Sequence, residues 1–343
     1  MADKGAENKN KSENVDGRVR VAVIGGGISG LAAASSLVQE RFDVVLLEAS
    51  DYIGGRIKTV TAFPGFPPID LGADFIHGSN SIINKLAEEN NWTVKQVCVD
   101  KKKDESVKQT PEVVITSRAG ETLAVDYVVV TVPLTILKDG DIIFSPPLPP
   151  KKQHAINTIQ MGAALKIVCR FRIPFWREKT LIFPIRGFLS QIWTYSRDPK
   201  EDGEECHVGV GFATAALAAQ KAHLFDEEVC EQFLQQLDEI FGTDADPKPA
   251  TNNFISFVYE HWSRHPYVRG GYSTQTVDTY GLKQHLSAPV EGRLFFAGEA
   301  TSLMLNATVQ SAIGTGMRAA REVCEAAQLN VERKIVCSVR APP

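Results

Sequence analysis

The stretch VAVIGGGISG at residues 21–30 decides the fold of this chain. Its apolar half predicts a buried strand, and the small residues that continue to residue 40 predict a helix directly after the glycines. Gly25 turns the chain, Gly27 lets the backbone approach a ligand, and Gly30 lets the helix pack close to the strand. This order is typical of a β-α-β unit that binds a dinucleotide.

The residues around this turn supply the groups that a dinucleotide requires. The amides of Ile28 and Ser29, at the positive end of the helix, can bind a pyrophosphate. A second apolar run at residues 43–47 predicts the next strand, and Glu48 follows it with a carboxylate that can bind a ribose diol. The alternative is a unit whose glycines only make a turn, but here the context as well as the motif is satisfied.

The composition narrows the class of protein. The chain has 343 residues, of which 43% are apolar, and a net charge of −4; this predicts two intertwined domains. Such a charge gives no basic field for nucleic acid or an anionic membrane. The six cysteines form no C-x-x-C pair, so we expect no metal site. Without a signal region or a long apolar run, the sequence predicts a cytoplasmic protein.

Three further motifs follow the glycine-rich turn along the chain. They are GGRIKT at residues 54–59, a stretch that starts at Trp262 and continues as GGYS at 270–273, and FAGE at 296–299, which precedes a predicted helix at 309–327. Taken in this order, the four motifs resemble those of the flavin-dependent amine oxidases, which include polyamine oxidases, monoamine oxidases and histone lysine demethylases. The resemblance implies FAD as cofactor. The C-terminal loop before Thr308, where monoamine oxidases attach theirs, contains no cysteine, so we expect noncovalent FAD.

The resemblance covers most of residues 19–328 and implies an α/β fold. A Rossmann-like FAD-binding domain and a second α+β substrate domain are expected, both discontinuous in sequence. We expect the FAD-binding domain at residues 18–80, 110–137 and 285–330, the substrate domain at 81–109 and 138–284, and tails at 1–17 and 331–343. Periodicity predicts helices at 81–90, 151–159 and 225–241, a strand at 165–171, and two strands at 113–115 and 127–132 joined by a turn at Gly120.

The resemblance also implies which residues contact the cofactor. They are Gly25, Gly27, Ile28, Ser29, Gly30, Glu48, Gly54, Gly55, Arg56, Gly72, Ala73, Trp262, Tyr272, Gly298, Glu299, Thr308 and Val309. Gly54 and Gly55 permit close backbone approach, and Arg56 has the reach for a phosphate or the isoalloxazine edge. The amides at Thr308 and Val309 open the last helix, where they would stabilise negative charge on a reduced flavin.

Two residues are predicted to be catalytic. Lys166 interrupts an apolar strand, where a lysine without a partner is uncommon, and it aligns with the family lysine that holds a water near flavin N5. His77, in GADFIHG at 72–78, resembles the polyamine oxidase pattern, and a neutral imidazole can accept a hydrogen bond or a proton from an amine. The alternatives are a lysine on the exposed face of the strand and a histidine with a structural hydrogen bond. Tyr272 and Thr308 are expected to contact substrate together with His77.

Two departures from the family pattern bear on function. Met304 and Leu305 replace common aromatic residues, and the long helical segment that the family carries after the histidine motif is shortened to one short helix and a linker with Lys101, Lys102 and Lys103.

The leading hypothesis is FAD-dependent oxidation of a small cationic polyamine by O2, which yields an imine, then an aldehyde and an amine, with H2O2 released. The alternatives are a monoamine or L-amino-acid oxidase, and a catalytically silent relative that binds FAD or a partner. The oligomeric state is left open.

Overall fold

The structure is a computed structural model, and it describes residues 18–63, 68–73, 113–176, 181–197, 206–304 and 307–338. His77, the predicted helix at 81–90 and the three consecutive lysines at 101–103 lie outside the described residues. The strands are β1 Arg20–Ile24, β2 Asp43–Leu47, β3 Thr59–Val60, β4 Ile69–Asp70, β5 Val113–Thr116, β6 Thr122–Val125, β7 Tyr127–Val130, β8 Gln160–Gly162, β9 Ala164–Phe171, β10 Leu181–Ile182, β11 Gln191–Arg197, β12 Cys206–Thr214, β13 Phe254–His261, β14 Tyr272–Thr274 and β15 Leu294–Phe296.

The helices are α1 Ile28–Gln39, α2 Leu134–Lys138, α3 Pro150–Thr158, α4 Ala215–Ala219, α5 Asp226–Phe241, α6 Pro249–Asn253, α7 Leu282–Ser287 and α8 Val309–Ser338, with short 3₁₀ turns at Val277–Thr279 and Glu299–Thr301. Helices α1, α3 and α5 lie within one residue of the predicted positions, whereas α2, α4, α6 and α7 have no counterpart among the predicted helices. The last helix differs, since it continues past the predicted end at residue 327. Within the described ranges, no helix is both long and apolar enough to cross a membrane.

A parallel sheet carries the nucleotide-binding motif. Its strand order is β15-β7-β1-β2, and all of its neighbouring pairs run parallel. Val21, Ala22 and Val23 have no exposed surface, because β1 is a central strand with helices packed against the sheet. This Rossmann-like arrangement confirms the predicted fold class. The carboxyl ends of parallel strands lie at one edge of the sheet, so Gly25 and Gly298 are placed at the same edge.

The turn at Gly120 joins different strands from those predicted. Gly120 connects β5 to β6 in an antiparallel hairpin, whereas Tyr127 starts a separate strand that pairs in parallel with β1. The prediction that this turn leads into residues 127–132 was therefore wrong. The physical reason lies in burial: β6 is buried only at its last residue, as in a hairpin, while every residue of β7 is buried.

A five-stranded antiparallel sheet forms the second layer, in the order β10-β11-β12-β9-β13. The side chains of β9 alternate between two faces, and both faces are buried. On one face, Leu165 and Ile167 belong to the core cluster that includes Phe233 of α5. On the other face, Val168 packs with Leu71. Lys166 shares this second face, which turns toward the segment at residues 69–73.

Candidate functional site

The first turn of α1 offers room and charge for an anion. Helix α1 begins after Gly27 without a side-chain cap and has no acidic residue in its first turn. A Cβ added to Gly27 would meet no described atom within 4 Å, whereas one added to Gly30 would lie 1.9 Å from the Gly25 carbonyl oxygen. Gly30 therefore packs against the turn, while Gly27 borders open space. The amides of Ile28 and Ser29 lie at this positive helix end, where a phosphate is favoured.

The carboxylate of Glu48 is held at the entrance to the turn. Its Oε2 accepts the Gly26 N–H at 2.5 Å, and its Oε1 accepts the Ser50 N–H at 2.8 Å. A carboxylate has about four acceptor sites, so these two bonds leave capacity for the hydroxyls of a ribose. Glu48 thus lies where the sequence predicts it, and the backbone fixes its orientation.

The GGRIKT motif lies against the glycine-rich turn. The Gly54 N–H donates to the Gly26 carbonyl at 2.8 Å. Gly54 has a φ of +115° and Gly55 a φ of +59°, which glycine adopts without strain. A Cβ on Gly55 would lie 3.3 Å from the Gly27 Cα atom. These two motifs therefore form one surface beside the first turn of α1.

Arg56 joins this surface to both C-terminal motifs. Its Nη1 donates to the Gly271 carbonyl at 2.7 Å and to Glu299 Oε1 at 3.0 Å. Glu299 is 5% exposed, and Ser273 donates to it from both its backbone N–H and its hydroxyl. Burial raises the pKa of Glu299, but the Arg56 charge and these hydrogen bonds outweigh it, so the net pKa is lowered. Glu299 is therefore a carboxylate at neutral pH.

The start of α8 is fixed by a reciprocal cap. Thr308 Oγ1 accepts the Ser311 N–H at 3.2 Å, and the Ser311 hydroxyl donates to the Thr308 carbonyl at 2.7 Å. Farther along, Thr315 Oγ1 accepts the Gly298 N–H at 3.0 Å and lies 3.4 Å from the Ser29 hydroxyl. Thr315 lies six positions after Val309, the first residue of α8, so the helix start lies roughly 9 Å from this contact. The amide of Val309 is in that first turn, as predicted.

Lys166 is buried and its ammonium group has defined acceptors. The side chain is 2% exposed, which excludes the alternative of an exposed lysine. Its Nζ donates to the Asp70 carbonyl at 2.7 Å and the Gly72 carbonyl at 3.2 Å, and lies 5.3 Å from the centre of the Trp193 ring. Trp262 completes this arrangement, because its Nε1 donates to the Leu71 carbonyl at 3.2 Å. Lys166 and Trp262 thus hold three consecutive carbonyls of the segment that leads to His77.

The remaining predicted residues fall into two groups. Gly72 and Ala73 lie beside Arg56: a Cβ on Gly72 would be 1.9 Å from the Arg56 carbonyl oxygen, and the Ala73 N–H donates to that oxygen at 3.2 Å. Tyr272 is half-buried on β14, where it pairs with Gly162. The structure therefore brings the cofactor motifs together, and it brings Lys166, Trp262 and Gly72 together beside them.

Sequence reasoning missed a polar cluster next to this site. Tyr52 Oη lies 3.2 Å from His265 Nε2, and Lys58 Nζ lies 2.5 Å from Glu260 Oε2. Tyr52 and His265 are 213 positions apart, and neither belongs to a motif that predicts a contact. The presence of Tyr52 two residues before Gly54 was the one available indication.

These residues fit FAD, the cofactor that the resemblance implies. The open space beside Gly27 adjoins uncapped helix amides, and a carboxylate for a ribose lies at the adjacent strand end. Two cations accompany the carboxylate of Glu299: the half-buried Arg56 pairs with it, and the Nζ atom of the buried Lys283 lies 3.5 Å from the Ser273 hydroxyl. Dinucleotides bind where helix amides, a terminal carboxylate and cationic groups meet at the carboxyl edge of a parallel sheet.

Comparison with known sequences and structures identifies the relatives of this chain. The sequence model of flavin containing amine oxidoreductases matches residues 89–324, and that of NAD(P)-binding Rossmann-like domains matches residues 23–89. Human lysine-specific histone demethylase 2 is 31% identical over 258 residues, with 72% of this chain and 29% of the relative covered. Polyamine oxidase 3 of rice (Oryza sativa subsp. japonica) is 30% identical over 251 residues, with 72% of this chain and 48% of the relative covered.

The fold is that of a solved wild-type putrescine oxidase bound to putrescine. The two structures superpose with a TM-score of 0.70 at 15% sequence identity, over 90% of this chain and 99% of that one. At this identity the likeness concerns the fold alone. The chain spans less than half the length of the two curated relatives that it matches.

Proposed function

This chain belongs to the flavin containing amine oxidoreductase family, and from that premise we propose that it oxidises polyamines with bound FAD. The observation that carries the proposal is the convergence of four motifs on one edge of the parallel sheet. Arg56, Glu299, Gly54 and Gly27 come from three distant stretches, yet they are linked by direct contacts. The FAD-binding domain would comprise residues 18–80, 110–137 and 285–330, and residues 81–109 and 138–284 would form the substrate domain.

The reaction is the two-electron oxidation of a secondary amine. FAD, when bound, would supply a two-electron acceptor for the hydride, and both electrons together with two protons would reduce O2 to H2O2. The substrate loses a hydride from the carbon beside its neutral nitrogen and a proton from that nitrogen. Water hydrolyses the resulting imine to an aldehyde and an amine. The protein must therefore bind a cationic amine, remove the proton from its reacting nitrogen, and stabilise negative charge on the reduced flavin.

Specific residues of the chain would serve these needs. Glu48 and the first-turn amides of α1 would hold the ribose and the pyrophosphate. The amides at Thr308 and Val309 would stabilise negative charge on the flavin. Lys166 would position a water that assists reaction with O2, and His77 would orient the amine or take its proton.

The substrate class is inferred from the segment that leads to His77. Its GADFIHG pattern resembles that of polyamine oxidases, and polyamine and putrescine oxidases occur among the sequence and structural relatives. Tyr272 and Thr308 would contact the substrate with His77, and Tyr272 supplies an aromatic face to a cation. A cytoplasmic location stays a prediction from the sequence.

Anaerobic reduction of the purified, FAD-loaded protein tests the proposal. Spermine or an acetylated polyamine should bleach the visible absorbance of the flavin, and readmission of air should restore it with release of one H2O2 per aldehyde. Bleaching by phenylalanine or an aryl amine, but not by spermine, would show that the substrate is another amine and not a polyamine. Retained flavin that no amine bleaches would make the chain a silent relative. Lys166→Met should slow the return of absorbance in air more than the bleaching step.

A further inference from the structure

We infer that Tyr52 and His265 form a positioning pair for residues 54–56, the cofactor loop of the proposed FAD site. Tyr52 Oη lies 3.2 Å from the Gly55 carbonyl oxygen and 3.2 Å from His265 Nε2. The two rings meet edge to face, with centroids 6.2 Å apart. The hydroxyl thus connects the left-handed Gly54-Gly55 turn to the loop that follows β13.

The hydrogen atoms along this chain of contacts have one consistent assignment. A carbonyl only accepts, so the single Tyr52 proton is donated to Gly55, and Tyr52 Oη must accept a proton from His265 Nε2. The Tyr267 N–H donates to His265 Nδ1 at 3.3 Å, which requires that Nδ1 carry no proton. His265 is therefore the neutral Nε2–H tautomer, with Nε2 donating and Nδ1 accepting.

The local electrostatics maintain this assignment. Burial, and then the charges of Glu260, Glu48 and Asp51, raise the pKa of Tyr52 to about 12, so the phenol keeps its proton. Burial lowers the pKa of His265, against an opposing effect of Glu260, so the imidazole stays neutral at pH 7. Both groups are neutral across the physiological range, as the directed chain requires.

Packing fixes the histidine ring as well. His265 stacks on Trp262 at a centroid distance of 5.6 Å and an interplanar angle of 28°. Trp262 is 4% exposed, and its Nε1 donates to the Leu71 carbonyl. A rigid line of side chains thus runs from the cofactor loop, through Tyr52 and His265, to the segment held by Lys166.

The consequence concerns the orientation of the Gly54-Gly55 turn. That turn is intrinsically free because both residues are glycines, and Arg56 follows it directly. Holding the Gly55 carbonyl fixes the direction in which Arg56 leaves the turn and keeps Gly55 against Gly27. We therefore assign Tyr52 and His265 to cofactor positioning, a role that rests on the proposed FAD site.

Equilibrium titration of the apoprotein with FAD tests this role. Tyr52→Phe should weaken FAD binding about tenfold, the effect of losing one to two hydrogen bonds that orient a site. His265→Leu should weaken it to a similar extent, and the double variant should be no weaker than either single variant. His265→Gln places an amide donor near the Nε2 position and should restore affinity to within about twofold of wild type. Tyr280→Phe, which removes an exposed hydroxyl (the residue is 86% exposed), is the matched control.

Unfolding of each apoprotein in denaturant distinguishes cofactor positioning from a contribution to stability alone. A purely structural role would lower stability, and glutamine at position 265 would then not rescue FAD affinity. Normal FAD affinity in Tyr52→Phe and His265→Leu, beside a wild type that binds FAD, would overturn the positioning role alone. A wild type that binds no FAD would overturn the proposed cofactor site itself.

Discussion

Arg56 and Glu299 lie 243 positions apart in the chain, and their side chains form an ion pair with an Nη1–Oε1 distance of 3.0 Å. The Glu299 side chain is 6% exposed and that of Arg56 27%, so water screens the pair only in part. Arg56 also donates to the Gly271 carbonyl. One guanidinium thus connects the segment after β2 to two C-terminal motifs.

Glu299→Gln should lower the free energy of unfolding of the apoprotein by about 2 kcal/mol, because the Arg56 charge loses its partner. The loss is smaller than for a fully buried ion pair, because water partly solvates Arg56. Denaturant unfolding measures the change. Glu239→Gln, at an exposed position on α5, should change stability by less than about 0.5 kcal/mol.

The pH dependence of that difference has a definite sign. The pKa of Glu299 is lowered from its usual 4.5, so its stabilising contribution is present above pH 4.5 and is lost as the pH falls through the lowered pKa. The gap between wild type and Glu299→Gln should therefore narrow in acid. A gap that widens as the pH falls would contradict the assignment of Glu299 as a carboxylate.

Two glycines of α8 predict opposite effects of the same substitution. A Cβ on Gly316 would lie 2.2 Å from the Ser29 carbonyl oxygen, so Gly316→Ala should push α8 away from α1 and destabilise the protein by about 1–3 kcal/mol. A Cβ on Gly314 would meet no described atom within 4 Å, so Gly314→Ala should stabilise the protein by about 1 kcal/mol. Thermal unfolding of both variants checks the pair, and a shift of both in one direction would refute the close packing of the two helices.

Lys152 predicts a rise of stability with pH. It is 3% exposed, and its Nζ donates to the carbonyls of His285 and Leu286. Burial, aided by the charge of Arg318, lowers the pKa of Lys152 to about 7 from 10.5. Between these values the unfolded chain binds more protons than the folded one, so the free energy of unfolding should increase with pH.

Comparison of two neighbouring lysines isolates this contribution. Lys152→Met keeps the apolar stem and removes the titration, so the increase in unfolding free energy between pH 7 and 9.5 should diminish. Lys151→Met, at an exposed position beside it, should leave the increase unchanged. Equal pH dependence in wild type and Lys152→Met would contradict the lowered pKa.

Lys166→Met should loosen the segment at residues 69–73. Two backbone carbonyls, of Asp70 and Gly72, would lose their donor, at a cost of about 1–3 kcal/mol. Hydrogen exchange should then accelerate at the amides of Leu71 and Ala73, which donate to the Lys58 and Arg56 carbonyls. Lys248→Met, at an exposed position before α6, serves as control. Unchanged exchange at both amides would show that Lys166 does not hold this segment.

The order of apolar, glycine and small residues predicted the first β-α-β unit of the chain. The residues 21–30 specify strand, turn and helix within a single stretch, and β2 occupies its predicted positions at Asp43–Leu47. The burial of Lys166 was expected, because its neighbours on β9 are apolar. Which carbonyls its ammonium contacts was not, since strand alternation gives a face but not the segment packed on it.

Contacts between distant residues were beyond sequence reasoning. Tyr52 and His265 belong to no periodic pattern, and their pairing follows from the way the loop after β13 folds over the GGRIKT motif. The strand partners of β7 were also missed, because a glycine turn specifies a hairpin but not which of two following apolar runs completes it. The domain boundaries and the roles of the site residues stay predictions.

The central claim is that FAD binds at the first turn of α1, and FAD titration of wild type and Gly27→Ala tests it most directly. The added methyl group would occupy the open space beside this turn without touching a described atom. Wild type should bind one FAD per chain. Gly27→Ala should unfold at the same denaturant concentration as wild type when free of FAD, yet bind FAD at least about tenfold more weakly. Equal FAD affinity in the two proteins would contradict the placement of the nucleotide at this turn.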